Sequence, residues 1–384
     1  MPVVHNRVLL ALCCAGALGV GFGGFLEVAP NRLARGLALP LWQAPFPEAA
    51  AIIIFLSLLA LLAFMRQDKQ RSIATVLAAA GVLWGSLAGA GHFAALLARA
   101  DLPAARSSLG LAFWTLVAIA FLAMVDAAQR AKPPLPLRIG FGLALGVGFV
   151  LMAQAGTFAD LSLAKEFSSH RAIFFSQLWR HIGLVAGALF FALMIGAPLT
   201  ALALRRASMR CAIFSSLGVL QTIPSLALFG VLIAPLSALS AQWPFLHDVG
   251  IGGTGAAPAI IALTLYALLP LVRNSYTGFT EVAAEVKDAA AGIGFNARQI
   301  FVSVEFPLAA PALVSALRVV TVQSVGLAAV AALIGAGGLG AFVFQGIGQY
   351  VMDLVLVGAI PIVLLALAAD FSFQMLLAAA RRRM

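Results

Sequence analysis

The chain has 384 residues, of which 62% are hydrophobic and 10% charged, and its formal net charge is +10. A water-soluble fold carries about 25% charged residues, so a soluble globular protein is excluded and lipid is the expected solvent. Lys and Arg sit in short clusters between apolar runs, which fits membrane orientation and argues against nucleic acid as a partner.

A spanning helix needs about 20 mostly apolar residues. Ten segments qualify: 8–26, 47–65, 73–97, 108–125, 138–158, 182–204, 211–236, 257–273, 309–334 and 354–380. Backbone polar groups must be satisfied inside lipid, so all are predicted to be helices. The alternation of a membrane barrel is absent. The first run follows Arg7, lacks a small-x-small cleavage pattern and is read as an uncleaved helix. Cys13, Cys14 and Cys211 lie in apolar runs and are read as small hydrophobes. With the N-terminus inside, inner segments hold 16 Lys and Arg (Arg382 and Arg383 among them). Outer segments then hold seven, including Arg35 and Arg99. This asymmetry predicts N-in and C-in. The outer loops 237–256 and 335–353 hold no Lys or Arg.

Three regions follow. Residues 1–159 form a five-helix membrane region. Residues 160–181, with Lys165, Glu166, Trp179 and Arg180, are expected to lie along the outer membrane surface. Residues 182–384 hold five more spans and one long polar island, within a loop at 274–308. In the island, Thr280 is placed to cap a helix with Glu281 in its first turn. Val282, Val286, Ala289 and Ile293 make one apolar stripe, flanked by Glu285 and Asp288. Gly292 and Gly294 end that helix, and Asn296 with Gln299 has the spacing of a capping box for a second one. Pro307 and Pro311 open the next span. Periodicity alone leaves open whether the loop docks a partner or folds back on its own chain.

The motifs narrow this. Asp288-Ala289-Ala290, then Gly294, then Val304-Glu305-Phe306-Pro307 resembles the conserved loop of binding-protein-dependent ABC permeases, Glu-Ala-Ala, three residues, Gly, nine residues, Ile-x-Leu-Pro. Asp replaces Glu, Val replaces Ile and Phe replaces Leu. The segments 221–228, 266–278 and 334–340 resemble the glycine betaine, carnitine and choline uptake permeases, and the likeness covers roughly 180–380. The first five spans look like the extended N-terminal half of a long-subunit branch.

The resemblance implies an all-α integral membrane protein of the cytoplasmic (inner) membrane. Its C-terminal five-helix core would be an ABC importer permease for an osmoprotectant. Glu285, Asp288, Ala289, Ala290, Gly294 and Pro307 would then couple to a cytoplasmic ATP-binding subunit, present in two copies. ATP and Mg would bind that partner and none would bind this chain. A second permease subunit (the same chain or a shorter relative) and a periplasmic or extracellular solute-binding protein would complete the assembly. No lysine here sits in Gly-x-x-x-x-Gly-Lys-Ser/Thr, so no P-loop is present. Gly335, Gly337 and Gly340 fit Gly-x-Gly-x-x-Gly, but they follow a membrane helix and read as a tight outer turn.

Two charges lie within spans. Arg318 is 11 residues past Pro307 and Asp370 is 11 residues before Arg381, so both are about 16 Å from their helix ends. They are expected to face each other, because lone intramembrane charges are costly. Gln221, Pro224, Gln323 and Ser324 are candidates for the translocation path, with helix–helix hydrogen bonding as the other reading. No catalytic constellation or metal-ligand spacing stands out. The alternative is a secondary transporter driven by an ion gradient, which would want ionisable residues in repeated halves.

Overall fold

The computed structural model describes residues 4–32, 34, 36–66, 68–98, 105–248 and 250–381. Arg35, Arg99, Arg382 and Arg383, which enter the charge count, lie outside the described residues. Two compact units, Met1–Ser169 and His170–Met384, each have their own core.

The first unit contains α1 (Arg7–Phe22), α2 (Phe46–Ala63), α3 (Lys69–Ala98), α4 (Leu111–Ala131), α5 (Leu135–Gln154) and the short α6 (Ser162–Ser169). Asn6 starts α1, since its Oδ1 accepts from the Leu9 N–H at 3.0 Å. Its Nδ2 donates to Asp126 Oδ2 at 2.8 Å, and Arg130 Nε and Nη2 grip the same carboxylate at 2.8 and 2.9 Å. This charge-assisted knot fastens α1 to α4. Leu9, Phe25, Ile52, Leu59 and Leu116 are fully buried between the helices. A small antiparallel sheet, unforeseen in the sequence, joins β1 (Leu26–Ala29), β2 (Leu37–Leu39) and β3 (Arg106–Leu109) in the order β2-β1-β3. It occupies chain that the span predictions 8–26 and 108–125 partly claimed.

The second unit runs α7 (Arg171–Arg205), α8 (Ala207–Thr222), α9 (Ser225–Gln242), α10 (Pro244–Asp248), α11 (Ala256–Thr280), α12 (Ala284–Gly292), α13 (Ala297–Ile300), α14 (Phe306–Ala328), α15 (Gly340–Gly348) and α16 (Met352–Arg381). A π-helical turn, Phe301–Glu305, carries α13 into α14 without a break. The hub is α11, which packs on α7, α8, α9 and α14; α14 packs in turn on α7 and α16.

Among the described residues nine helices are long and apolar enough to cross a membrane, and α1 is a shorter apolar helix. Two boundaries differ from expectation. The span predicted at 211–236 is two helices, α8 and α9, because Pro224 has no N–H and pushes Ile223 into extended backbone (φ −69°, ψ 125°). The sixth span does not begin at 182: α7 is a single helix of 35 residues that starts at Arg171 and takes in the second half of the supposed surface segment.

Candidate functional site

The polar island folds as an exposed helix held at one edge. Thr280 does not cap it. Its hydroxyl bonds back to the carbonyls of Tyr276 and Thr277 at 3.1 and 3.0 Å, so α11 continues to Thr280 and α12 begins only at Ala284. Glu285 sits in the first turn of α12, where the helix dipole favours it. At the far end the Phe295 N–H reaches the Ala290 carbonyl at 3.1 Å and the Gly294 N–H reaches that of Ala291 at 3.0 Å. This Schellman arrangement needs a left-handed residue, and Gly294 supplies it with φ 93°. Asn296 and Gln299 then exchange side-chain and backbone hydrogen bonds at 2.8 and 2.9 Å, a full capping box that opens α13.

Helical periodicity divides α12 into two faces. Lys287 and Ala290 point inward, and Ala290 is buried. Glu285, Asp288 and Ala289 point outward, Val286 borders the cavity behind the helix, and Ile293 is 75% exposed. The apolar stripe foreseen along the island is therefore divided: Val282 is buried and Val286 borders the cavity, while Ala289 and Ile293 are open to their surroundings. Lys287 Nζ lies 3.1 Å from Glu305 Oε1 on the π turn. Pro307 lies one residue beyond Phe306, inside a continuous helical run from Ala297 to Ala328, and does not open a new span there.

Behind α12 is a cavity of about 690 Å³, lined among others by Glu281, Val282, Pro311, Ser315 and Arg318. Arg318 Nε donates to Asp370 Oδ1 at 2.5 Å, and Gln374 Nε2 donates to the other carboxylate oxygen at 2.7 Å. The pair joins α14 to α16, with Arg318 at the wall of that cavity, so each charge has its partner.

Gln221 and Pro224 meet at a second polar node. Pro270, inside α11, lacks the N–H that would bond the carbonyl of Tyr266, four residues earlier. Gln221 Nε2 donates to that carbonyl at 2.9 Å. In return the Tyr266 hydroxyl donates to the carbonyl of Ile223, which the break at Pro224 leaves without a helical donor. Two helix defects thus satisfy each other, and Gln221 is spent on helix–helix bonding. Ser324 is buried and Gln323 half-buried on α14. Next to them, the Val325 carbonyl accepts from Nε2 of the fully buried His181 at 3.1 Å. Sequence reasoning missed Tyr266 and His181; the spacing Tyr266 to Pro270 was the available signal for the first.

The glycine-rich turn after α14 has Gly335, Gly337 and Gly338 at φ 77°, 73° and 84°, which only glycine adopts readily. The Gly338 N–H donates to Gln177 Oε1 at 2.6 Å, which fastens this turn to α7.

Residues 188–382 match the family described as the binding-protein-dependent transport system inner membrane component. That stretch contains α12, the Arg318–Asp370 pair and the Gln221–Tyr266 node. The chain belongs to this permease family. The permease is thus a multi-pass membrane subunit of an ABC importer. It is not an enzyme: ATP is hydrolysed on a separate subunit, and a solute-binding protein also takes part in importers of this family. Residues 6–164 match the N-terminal domain of the ABC transporter permease YehY. The carnitine transport permease protein OpuCB of Listeria monocytogenes is 35% identical over 196 residues, 51% of this permease and 83% of the relative. The osmoprotectant import permease protein OsmW of Salmonella typhimurium is 37% identical over 196 residues, 51% of this permease and 86% of its own length. The ergothioneine transport permease/binding protein EgtU of Helicobacter pylori is 35% identical over 181 residues, 47% of this permease and 30% of the relative. A chain of the MetNI methionine ABC transporter, solved in an inward facing form, is 22% identical with a TM-score of 0.48, covering 55% of this permease and 98% of itself.

Proposed function

We propose that the permease imports glycine betaine or a related quaternary-ammonium osmoprotectant, and that α12 is the coupling helix seated in a groove of the ATPase subunit. The exposed outer face of α12 carries this reading. Glu285, Asp288, Ala289 and Ile293 are presented outward, while Ala290 and Lys287 hold the helix to the unit. Gly294 fixes where the helix ends. In this reading the α12 end of the unit faces the cytosol, both chain ends are inside, and two ATPase subunits act on a pair of permeases, identical or of unequal length. Closure of the ATPases on ATP pushes α12 and moves the two permease halves between inward- and outward-open states. The outer loops at 237–256 and 335–353, free of Lys and Arg, offer no repulsion to a cationic headgroup.

Relatives named for carnitine, choline and osmoprotectants support the solute class. The test is uptake into proteoliposomes containing this permease, its ATPase and its binding protein. Radiolabelled glycine betaine is expected to enter only with ATP, and carnitine and choline are expected to compete. Failure of all three to enter, with ergothioneine entering instead, would reassign the solute and leave the permease role intact. Family membership sets aside transport driven by an ion gradient.

A further inference from the structure

We propose that the ion pair between Lys287 and Glu305 is the tie that carries movement of α12 into α14, with the π turn Phe301–Glu305 as the flexible joint beside it. This rests on the reading of α12 as the ATPase-docking helix and adds to it the route by which motion leaves that helix.

The joint has a chemical origin. Pro307 has no N–H to give the Ser303 carbonyl, and its ring crowds that carbonyl. The chain responds by widening: the Phe306 N–H bonds to the Phe301 carbonyl, five residues back. Such π turns sit preferentially at functional positions, because the wider ladder is looser than an α-helix. The two ends of this turn are held by different elements. Phe301 stacks on Phe279, near the end of α11, with ring centroids 5.6 Å apart and planes 19° from parallel. Glu305, at the other end, is held by Lys287 of α12 at 3.1 Å. A push on α12 therefore displaces the Glu305 end while Phe301 stays with α11, and the turn must flex. The element beyond the turn is α14, whose Arg318 is fastened to Asp370 of α16. Lys287 is suited to this tie because it shares the inward face of α12 with buried Ala290, leaving the outward face free for a partner. The pair is only partly buried, with Lys287 and Glu305 side chains 33% and 24% exposed. Its contribution is therefore to orientation rather than to the stability of the fold. Lys287 and Glu305 are positioning residues; neither touches the solute.

The experiment uses the complete transporter in proteoliposomes with three permease variants: Lys287→Glu, Glu305→Lys and the two combined. Each is scored for retention of the ATPase subunit, ATP hydrolysis with loaded binding protein, and solute imported per ATP. Both single reversals are expected to retain the ATPase subunit and to lower import per ATP by about fivefold or more. The double reversal, which restores opposite charges, is expected to recover coupling. Lys287→Gln, which removes the charge at nearly the same length, is expected to uncouple as well should the reversals lower yield. Wild-type import per ATP in both single reversals overturns the proposal, as does failure of the double reversal to rescue. Loss of the ATPase subunit in Lys287→Glu alone also overturns it, since Lys287 would then be a partner contact. A disulfide crosslink from Ile293→Cys to the ATPase subunit, measured in the same preparations, reads docking separately. With the crosslink present, the docking reading survives failure of the tie; without it, both fall.

Discussion

Tyr266 stands four residues before Pro270, so its carbonyl has no helical donor, and its ring reaches the carbonyl left open at Pro224. Removing the hydroxyl leaves the Ile223 carbonyl without its partner. Tyr266→Phe is therefore expected to destabilise the permease by about 1 kcal/mol, seen as a lower unfolding temperature in detergent with helix content unchanged. The Arg318–Asp370 pair behaves differently, because removing one partner strands a charge. Arg318→Met and Asp370→Leu should each reduce the yield of folded protein more than the double variant does, since a pair removed whole leaves no lone charge. Equal or worse yield from the double variant would mean that the pair contributes beyond mutual neutralisation. At this scale legibility was uneven. Arg318 and Asp370 were visible as isolated charges in apolar runs. Gln221 was visible as polar, but its partner is a backbone carbonyl, which no side-chain pattern marks. Thr280 misled, because a threonine at a helix boundary caps the next helix or bonds back into the previous one, and local sequence does not decide between them.

The α12 segment was the most readable element. Helix, glycine turn and capping box follow from Gly292, Gly294, Asn296 and Gln299, and all form as their chemistry dictates. A Cβ on Gly294 would meet no atom within 4 Å, so the cost of substitution there is conformational. Gly294→Val places a β-branched residue at φ 93°, a strain of about 1–2 kcal/mol that the loop relieves by re-aiming α12. The expected result is normal membrane insertion with ATP hydrolysis that no longer responds to loaded binding protein. Normal uptake in that variant would remove α12 from the coupling route. The strands were not readable: β2 has three residues and β1 and β3 four each, too few for a period of two to emerge beside long apolar runs. The break at Pro224 was hidden for a related reason. Hydropathy continues smoothly through it, and only the backbone chemistry of proline ends α8.

At the scale of the whole molecule, the two units have separate cores, and relatives covering 51% of this chain account for 83–86% of their own lengths. A variant comprising residues 170–384 is therefore expected to insert, bind the ATPase subunit and support ATP-dependent uptake, measured against the full chain at equal protein. Loss of uptake with the ATPase still bound would give the first unit a part in transport itself. Fold class and most span positions were legible from apolar length alone, because the bilayer imposes one solution on the backbone; the break at Pro224 and the early start of α7 were not. The packing within each unit was not, since lipid and protein interior ask for the same residues.

Helix α7, at 35 residues, is about 52 Å long, well beyond the roughly 30 Å of hydrocarbon it crosses. The surplus lies at its Arg171 end, which carries Trp179 and Arg180. Side chains of that kind settle among lipid headgroups at more than one depth. Because Gln177 and His181 fasten this stretch to the glycine-rich turn and to α14, a thicker or thinner membrane is expected to shift the depth of the whole unit and not of this rod alone.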